Sequence, residues 1–374
     1  MKSIVFSPFF STFAYKNRIR MKRERQFEVM RTLAMFFIVV YHCLTHGVGD
    51  GCGFSTSSPV CLSNALTSDL MLVFSSIAVN LYVMTSGYFL VDLNFKASRI
   101  VRTWSVACFY SFVITLLFMA LCIVPFNLLP LCKSLFPISF DAYWFVTQYI
   151  GLLILSPFLA IMVRNLSYRQ YLALLVGGAF ICLTIIPDFP FGKRYYVAHG
   201  NSVWSFAYLF LIAGFIKHHL KENPISRIMM TIILLVLLIL SCEVIGGYHQ
   251  GNVHLYWLNY NGLALILSVA VFILVRQLKV PDNGFWNILV KVAPYSFGVY
   301  LIHDHLLIRD WLWSNVSLTT YCDQLLYPII VIGLCLVIYM VCTIIDAVRK
   351  KLFSILRIDD LIAKVDQWSF THEC

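Results

Sequence analysis

The sequence predicts an all-α, polytopic membrane protein with about ten transmembrane helices and both termini in the cytoplasm. Three observations support this fold class: the overall composition, the recurrence of apolar stretches of membrane-spanning length, and an uneven distribution of basic residues. Of the 374 residues, 60% are hydrophobic and 12% are charged, and the mean hydropathy is +0.80. Soluble domains are about half apolar and a quarter charged, so this composition excludes a soluble globular protein.

Apolar stretches recur along nearly the whole chain. A helix needs about 20 mainly apolar residues to cross a bilayer. Ten stretches approach that length, at 27–46, 69–90, 103–124, 142–163, 170–186, 203–219, 226–245, 255–275, 289–308 and 324–346. We therefore predict a basic amino-terminal cytoplasmic segment over 1–26, a ten-helix transmembrane domain over 27–346 and a cytoplasmic tail over 347–374.

Basic residues are concentrated on one side of this arrangement. With ten spans, 24 of the 28 Lys and Arg residues fall on the side that holds both termini. The other side holds Lys133, Lys193, Arg194 and Arg309. The positive-inside rule assigns the basic side to the cytoplasm. The formal net charge of +10 then reflects topology and does not indicate nucleic-acid binding.

Two segments outside the spans leave alternatives open. Residues 1–20 are too short to span, contain Pro8 and lack a cleavage-site pattern, so they form an interfacial segment or precede a true start at Met21. In the first outer loop, Cys52 and Cys61 form a disulfide if that side is oxidising, or remain two unpaired thiols.

The first span carries two groups that lipid does not favour. Arg31 and His42 are eleven residues apart, which places them on one helix face with an axial separation of about 16 Å. A lone arginine near a helix end often snorkels to the interface, and a lone histidine often hydrogen-bonds a neighbouring helix. Because intramembrane ionisable groups tend to mark functional cavities, we favour a functional role for His42.

Further polar residues are candidates for the same cavity. After the second span, Arg99 and Arg102 are three apart, so both can reach one anionic group, although an ordinary basic loop explains them equally well. In the ninth span, Ser296, Tyr300 and His303 form one helical stripe. We expect the next residues, Asp304 and His305, to be solvated near the outer rim.

Several motifs together resemble the integral membrane acyltransferase family 3. They are "RTLAMFFIVVYH" in the first span, "VNLYVMTSGYFL" before the paired arginines, "YWFVTQYIGLLILSPFL" in the fourth span, "FAYLFLIAGF" in the sixth and "YSFGVYLIH" in the ninth. The resemblance covers nearly the whole chain and follows the family order. Two departures are "FEVMR", where Glu28 replaces the aspartate of the family's "LDGLR", and "HDH", where a proline often follows the histidine.

The resemblance implies an activity and roles for these residues. Family members transfer an acyl group, most often acetyl, from cytoplasmic acyl-CoA to a hydroxyl of a cell-surface glycan. By this resemblance, Arg31, Arg99 and Arg102 hold the phosphates of CoA. His42 acts as the base or carries the acyl group, and His303 assists it. Four further residues are candidates for the substrate cavity: Ser296, Tyr300, Tyr88 and Trp144.

The same resemblance gives expectations for location, partners and metals. It implies a multi-pass protein of the bacterial cytoplasmic membrane with acyl-CoA, a glycan acceptor and lipid as partners; a homodimer is left open. We expect no metal, because no carboxylate accompanies His42 and His46 in the first span. Two other classes remain open: a transporter or flippase for a glycan intermediate, and a non-catalytic membrane sensor or assembly partner.

Overall fold

A computed structural model describes residues 24–48, 58–140, 142–183, 202–221, 223–224, 227–236, 238 and 262–368 of the chain. Within these ranges the protein is helical throughout, with 83% of residues in helices and no strand. The predicted all-α class is therefore confirmed. Met1, Met21 and Cys52 lie outside the described residues, so the alternatives for the start of the chain and for the disulfide stay predictions.

The described helices are numbered here in chain order. They are α1 (Arg25–His42), α2 (Pro59–Ser76), α3 (Ala78–Leu90), α4 (Ala97–Ala120), α5 (Leu128–Ser134), α6 (Trp144–Asn165), α7 (Tyr168–Leu183), α8 (Val203–His219), α9 (Arg227–Val236), α10 (Gly262–Arg276), α11 (Gly284–Val292), α12 (Ser296–His303), α13 (Leu306–Asn315), α14 (Tyr327–Ile355) and α15 (Ile358–Trp368). A π-helical turn follows α1 at Cys43–Val48, and short 3-10 turns lie at Ala293–Tyr295 and Leu318–Tyr321.

Six of the described helical segments are long and apolar enough to cross a membrane. They are Arg25–Val48, Pro59–Leu90, Ala97–Ala120, Trp144–Asn165, Gly284–His303 and Tyr327–Ile355. Each one overlaps a predicted span. The main difference is the second segment, which starts ten residues earlier than predicted because α2 and α3 are separated by only a single turn residue, Ile77.

The other four predicted spans coincide with shorter helices. Helices α7, α8 and α10 have 16, 17 and 15 residues, and α9 covers Arg227–Val236. Parts of 170–186, 226–245 and 255–275 lie outside the described residues. The count of ten spans and the cytoplasmic location of both termini therefore stay predictions.

Helix α1 lies at the centre of the bundle. It packs against α2, α3, α10, α11, α12 and α14. In the most apolar 18-residue stretch of Arg25–Val48, 72% of the residues are buried inside the protein. In the corresponding stretch of α14, 28% are buried. The helix that carries Arg31 and His42 is thus enclosed by protein, whereas α14 presents an apolar face of the kind that contacts lipid.

A buried polar cluster fixes α12 against its neighbours. Asp346 of α14 accepts hydrogen bonds from Arg349 Nη2 at 2.7 Å and from the Tyr110 hydroxyl of α4 at 2.8 Å. A Cβ at Gly298 of α12 would collide with the Asp346 carboxylate, so only glycine permits this close packing. The cluster ties α4, α12 and α14 together and so positions His303 at the end of α12.

The bundle has two chemically distinct ends. At the end that we call the basic end, Arg25 pairs with Asp282 at 3.5 Å, and Lys350 donates to the Pro294 carbonyl. At the opposite end, which we call the histidine end, α1 finishes at His42 and the π-helical turn packs under Trp313. The two predicted groups of α1 are therefore held at opposite ends of one continuous helix.

Candidate functional site

The centre of the histidine end is a pair of imidazoles from two helices. His42 is the last residue of α1, and His303 is the last residue of α12. His42 Nδ1 lies 2.9 Å from His303 Nε2. The His42 side chain is 12% exposed, whereas His303 is 1% exposed. The structure therefore joins two predicted site residues that are 261 positions apart in sequence.

Hydrogen bonding assigns a tautomer to each imidazole. His303 Nδ1 lies 2.6 Å from the Val299 carbonyl oxygen, which can only accept, so Nδ1 carries the proton. In neutral His303 the Nε2 atom then has a lone pair and accepts the hydrogen bond from His42 Nδ1. It follows that neutral His42 has its own lone pair on Nε2, which is the atom available for proton transfer or nucleophilic attack.

Asp304 and His305 are buried, so the expectation that they are solvated was wrong. They are 8% and 6% exposed. The chain turns sharply between α12 and α13, and His305 accepts a hydrogen bond from the Leu307 amide at 3.2 Å, capping α13. Asp304 Oδ1 lies 3.5 Å from His42 Nδ1 and 3.9 Å from Arg309 Nη1. A carboxylate thus faces the histidine pair.

His46 lies one turn beyond His42 and is exposed. The two rings have centroids 5.6 Å apart. His42, His46 and Asp304 each offer one ligand atom, and these three atoms lie within 4.8 Å of one another. The sequence argument against a metal assumed that no carboxylate accompanies the two histidines. That statement holds within the first span, but Asp304 reaches the two histidines from the turn after α12, so the argument does not exclude a metal.

The other predicted residues of α12 are buried: Tyr300 lies beside the pair, and Ser296 lies seven residues before His303, about 10 Å away along the helix. Ser296 Oγ lies 3.4 Å from the Tyr339 hydroxyl. The ring of Tyr300 packs against Tyr143 and Phe145. Among the described residues the buried Tyr300 hydroxyl makes no hydrogen bond of ordinary geometry, and Asp304 is one of its electrostatic neighbours. The hydroxyl lies next to His303 and has the Asp304 carboxylate as its hydrogen-bonding neighbour, so it can turn from Asp304 towards a substrate oxygen.

Tyr88 and Trp144 lie farther from the histidine pair. Tyr88 is at the basic end, where its ring packs against Phe27 and Phe272. Trp144 is half-buried at the start of α6, and its ring contacts Phe145. Trp144 is therefore separated from Tyr300 by one aromatic ring, whereas Tyr88 lies with the arginines at the basic end; the roles of both residues in a substrate cavity stay predictions.

The basic end places Arg31 beside a lysine that the sequence analysis did not single out. Arg31 Nη1 is 3.0 Å from Glu28 Oε1, and its guanidinium carbon is 5.8 Å from the Phe89 ring centroid. Lys217 Nζ is also 5.8 Å from that centroid, and it is 2.7 Å from Asp92 Oδ2. Two cations thus flank one aromatic ring. The only sequence signal for Lys217 is its place in the basic run that ends α8.

Asp92 lies in the loop after α3 and receives two basic groups. Besides Lys217, His218 Nε2 is 2.8 Å from Asp92 Oδ1. Burial alone would raise the pKa of the Asp92 carboxyl, but the hydrogen bonds and charges of Lys217 and His218 lower it below its usual value. Asp92 is therefore a stable anion that fixes the position of Lys217.

The predicted pair Arg99 and Arg102 meets the carboxyl-terminal helix. Arg102 Nη1 is 2.8 Å from Asp359 Oδ1 of α15, while Arg99 Nη1 donates to the Asn94 carbonyl at 3.0 Å. At the other end of α15, Asp366 accepts from both the amide and the hydroxyl of Ser98, at 2.8 and 2.7 Å. Helix α15 therefore lies across the start of α4, where the donor phosphates were expected.

Phenolic side chains lie between Arg31 and Arg99. Tyr82 has Arg31 and Tyr149 among its electrostatic neighbours, and Tyr149 is in turn a neighbour of Arg99. The Tyr149 hydroxyl donates to Ser86 Oγ at 3.1 Å. The rings of Tyr82 and Tyr149 also pack on Phe145, so these phenols connect the surroundings of the arginines with the aromatic cluster around Tyr300.

Comparison with known proteins gives one result that bears on function. The family model Acyl_transf_3, described as an acyltransferase domain, matches residues 24–347. The match contains both members of the histidine pair together with Arg31, Arg99 and Arg102. No curated protein and no solved structure gave a significant match.

Proposed function

The chain belongs to acyltransferase family 3, whose match covers most of its length, and from that premise we propose that it is an acyl-CoA-dependent membrane O-acyltransferase. The proposed donor is acetyl-CoA. The proposed acceptor is a hydroxyl of a cell-surface polysaccharide or lipid-linked glycan. The proposed location is the cytoplasmic membrane of a bacterial-type cell, with the basic end facing the cytoplasm.

The observation that carries this proposal is the hydrogen-bond chain from the Val299 carbonyl through His303 to His42. It leaves the lone pair of His42 on Nε2 and holds the ring in one orientation. A general base needs such a fixed orientation, and histidine is the side chain that most often fills this role. The Asp304 carboxyl lies 3.5 Å from His42 Nδ1, and in its ionised form it would favour the imidazolium that forms when Nε2 takes up a proton.

The reaction follows from this arrangement. His42 Nε2 accepts the proton of the acceptor hydroxyl, while the oxygen attacks the thioester carbonyl carbon. The carbon–sulfur bond then breaks, and the imidazolium returns the proton to the thiolate of CoA. In an alternative order, His42 Nε2 attacks the thioester carbonyl carbon and the carbon–sulfur bond breaks, which releases CoA as its thiolate. The acceptor oxygen then attacks the acyl-imidazole, the carbon–nitrogen bond breaks, and the proton of the acceptor hydroxyl neutralises the thiolate. In either order the buried Tyr300 hydroxyl can donate to the carbonyl oxygen as it gains negative charge.

The donor binds at the basic end in this proposal. Arg31 is eleven residues before His42 in one continuous helix, which corresponds to an axial separation of about 16 Å. The phosphates of CoA at Arg31 and Lys217 would therefore direct the extended pantetheine arm along α1 towards His42. Arg99 and Arg102 complete the basic surface, with Arg102 available once it leaves Asp359.

The test is transfer by the purified full-length protein. In dodecyl maltoside, whose sugar hydroxyls offer a surrogate acceptor, wild-type protein should release CoA from acetyl-labelled acetyl-CoA. His42→Ala should lower the single-turnover rate by about 10²- to 10⁴-fold, the usual contribution of a general base. His219→Ala is the matched control, because His219 is an exposed histidine of α8 at the other end of the bundle.

Two results would contradict the proposal. Normal turnover by folded His42→Ala protein would remove His42 from the chemistry. Saturable binding of acetyl-CoA or of a glycan without turnover in wild-type protein would favour a transporter or a sensor instead.

A further inference from the structure

We propose that the histidine end contains a binding site for a divalent transition-metal cation of the zinc type, formed by His42, His46 and Asp304. Metal binding at this site does not depend on the proposed function. The effect of the metal on activity does rest on the proposed function. A cation bound to His42 should block acyl transfer, so the site would make the enzyme sensitive to zinc at the histidine end.

The geometry of the three residues suits a cation. One ligand atom from each lies within 4.8 Å of the other two. In a tetrahedral zinc site with bonds of about 2.0–2.2 Å, neighbouring ligand atoms are about 3.3 Å apart. The atoms therefore need to approach by up to about 1.5 Å, a distance that rotation of the exposed His46 side chain and of the Asp304 carboxylate can supply. Two imidazoles and one carboxylate leave a fourth position open, as in other zinc sites with three protein ligands.

The chemistry of the ligands selects the class of metal. Imidazole nitrogen suits zinc, copper, iron and nickel, whereas magnesium and calcium prefer sites built from oxygen alone. With two nitrogens and one carboxylate oxygen, the site should bind Zn²⁺ and exclude Mg²⁺. The affinities for Zn²⁺ and Mg²⁺ should differ enough for Mg²⁺ to serve as a negative control in the same titration.

The surroundings of the site support ligand orientation and access. A metal-bound histidine usually donates its other ring N–H to an acceptor, and His42 already has such a partner, because its Nδ1 lies 2.9 Å from His303 Nε2. With Nδ1 donating to His303, Nε2 is the His42 nitrogen left for the cation, and Asp304 Oδ1, which lies 3.5 Å from Nδ1, must turn towards Nε2 when a cation binds. His46 is exposed, which gives a cation a route from the surface. Arg309 is the opposing charge: it lies 3.9 Å from Asp304 Oδ1 and competes with the metal for that carboxylate.

Binding at His42 Nε2 would remove the lone pair that the proposed reaction uses. Zinc should therefore lower the rate of acyl transfer without displacing the donor, because the basic end is about 16 Å away along α1. Inhibition should be relieved by a chelator, since no covalent change occurs.

The experiment measures metal binding and transfer separately on the full-length protein in detergent, after chelator treatment. Equilibrium dialysis should find one Zn²⁺ per chain in the wild type and none when Mg²⁺ is offered. His46→Ala and Asp304→Asn should each weaken zinc binding by about tenfold or more. His46→Asp, which keeps an oxygen ligand, should recover part of the loss. His219→Ala, a histidine outside the cluster, should bind zinc like the wild type.

The outcomes separate this inference from the proposed function. Zinc binding that is equal in wild type and His46→Ala, or no binding at micromolar zinc, would overturn the metal site even if transfer is normal. Binding that is lost in His46→Ala would support the site even if no transfer is found in any sample. Where transfer is active, the zinc concentration for half-inhibition should rise in His46→Ala in parallel with the loss of affinity.

Discussion

The two ends of α1 differ in how their polar groups are satisfied. At the basic end the cations proposed to bind donor already have acidic partners: Arg31 has Glu28, Lys217 has Asp92 and Arg102 has Asp359. At the histidine end the chain of hydrogen bonds stops at a ring nitrogen whose lone pair remains available. The histidine end is therefore arranged for chemistry before any substrate arrives, whereas the basic end must exchange partners to bind an anion.

This difference has an energetic consequence. The Arg102–Asp359 pair has side chains that are 54% and 41% exposed, and such surface pairs contribute about 0–1 kcal/mol. The Glu28 side chain is 6% exposed and Arg31 28%, so breaking that pair without replacing it leaves a buried charge. A phosphate can readily replace Asp359 at Arg102. At Arg31 we expect the phosphate to add to the existing pair rather than displace Glu28.

The largest change in donor binding should come from Arg31. Arg31→Ala should weaken acyl-CoA binding by about 1.5–3 kcal/mol, the contribution of a hydrogen bond to a charged group, which is roughly 10- to 150-fold in Kd. Arg31→Lys should recover only part of that loss, because an ammonium keeps the charge but not the planar fork. The measurement is donor affinity on purified protein, normalised to the folded fraction.

His42→Ala should behave differently from Arg31→Ala when donor affinity is measured. It should leave donor affinity near the wild-type value while transfer is lost, because the two residues lie at opposite ends of α1. If Arg31 and His42 only hold helices together, both variants should instead reduce the yield of folded protein, and whatever folds should show normal affinity and turnover.

The features that were predicted correctly depend on local sequence. Apolar runs and the 3.6-residue period are enough to predict an all-helical membrane protein and to place Arg31 and His42 on one helix. The contact between His42 and His303 cannot be predicted from local sequence, because the two residues are 261 positions apart and meet only through the packing of α1 against α12. The sequence identifies each histidine as a candidate site residue, but it does not predict that the two are in contact.

The features that were missed or wrong depend on tertiary structure. Asp304 was expected to be solvated because it lies near the outer rim of the predicted ninth span, yet the turn into α13 folds it inward. Asp359 lies in what was predicted to be a cytoplasmic tail, where nothing in the local sequence shows that α15 returns to the start of α4. In the sequence Lys217 is likewise an ordinary lysine at a helix end. Only the tertiary structure places it beside Phe89, the ring that Arg31 also contacts.

A moderate effect on the rate is expected from His303. His303→Ala removes the acceptor of the His42 Nδ1 hydrogen bond, so the ring can rotate or change tautomer. Hydrogen-bond partners that orient a functional histidine contribute about 10- to 100-fold. His303→Gln, whose side-chain carbonyl can accept the same hydrogen bond, should recover part of the rate. The measurement is single-turnover transfer at saturating acetyl-CoA.

The comparison between the two variants separates orientation from packing. If His303 acts only by filling space, Gln and Ala should differ through stability alone, and the folded fraction of each should turn over normally. Equal loss in both variants together with normal folding would mean that His303 takes part directly in proton transfer, and not only by orienting His42.

The smallest effect is expected at the contact between α15 and α4. Asp359→Asn removes the carboxylate that holds Arg102 at 2.8 Å, so Arg102 becomes available to donor phosphate. Since an exposed ion pair is worth about 0–1 kcal/mol, acyl-CoA affinity should rise by a few-fold at most, and the rise should shrink at high salt. Asp360→Asn is the matched control, because Asp360 is the next residue and pairs with Arg357 instead, at 3.8 Å. Titration of both variants with acyl-CoA at two salt concentrations gives the measurement.

If Arg102 serves only to anchor α15, Asp359→Asn should leave donor affinity unchanged and should loosen the carboxyl-terminal helix, which faster proteolysis after α14 would reveal. An increase in affinity seen only in Asp359→Asn would instead mean that the acid of α15 and the phosphate of the donor compete for the same guanidinium.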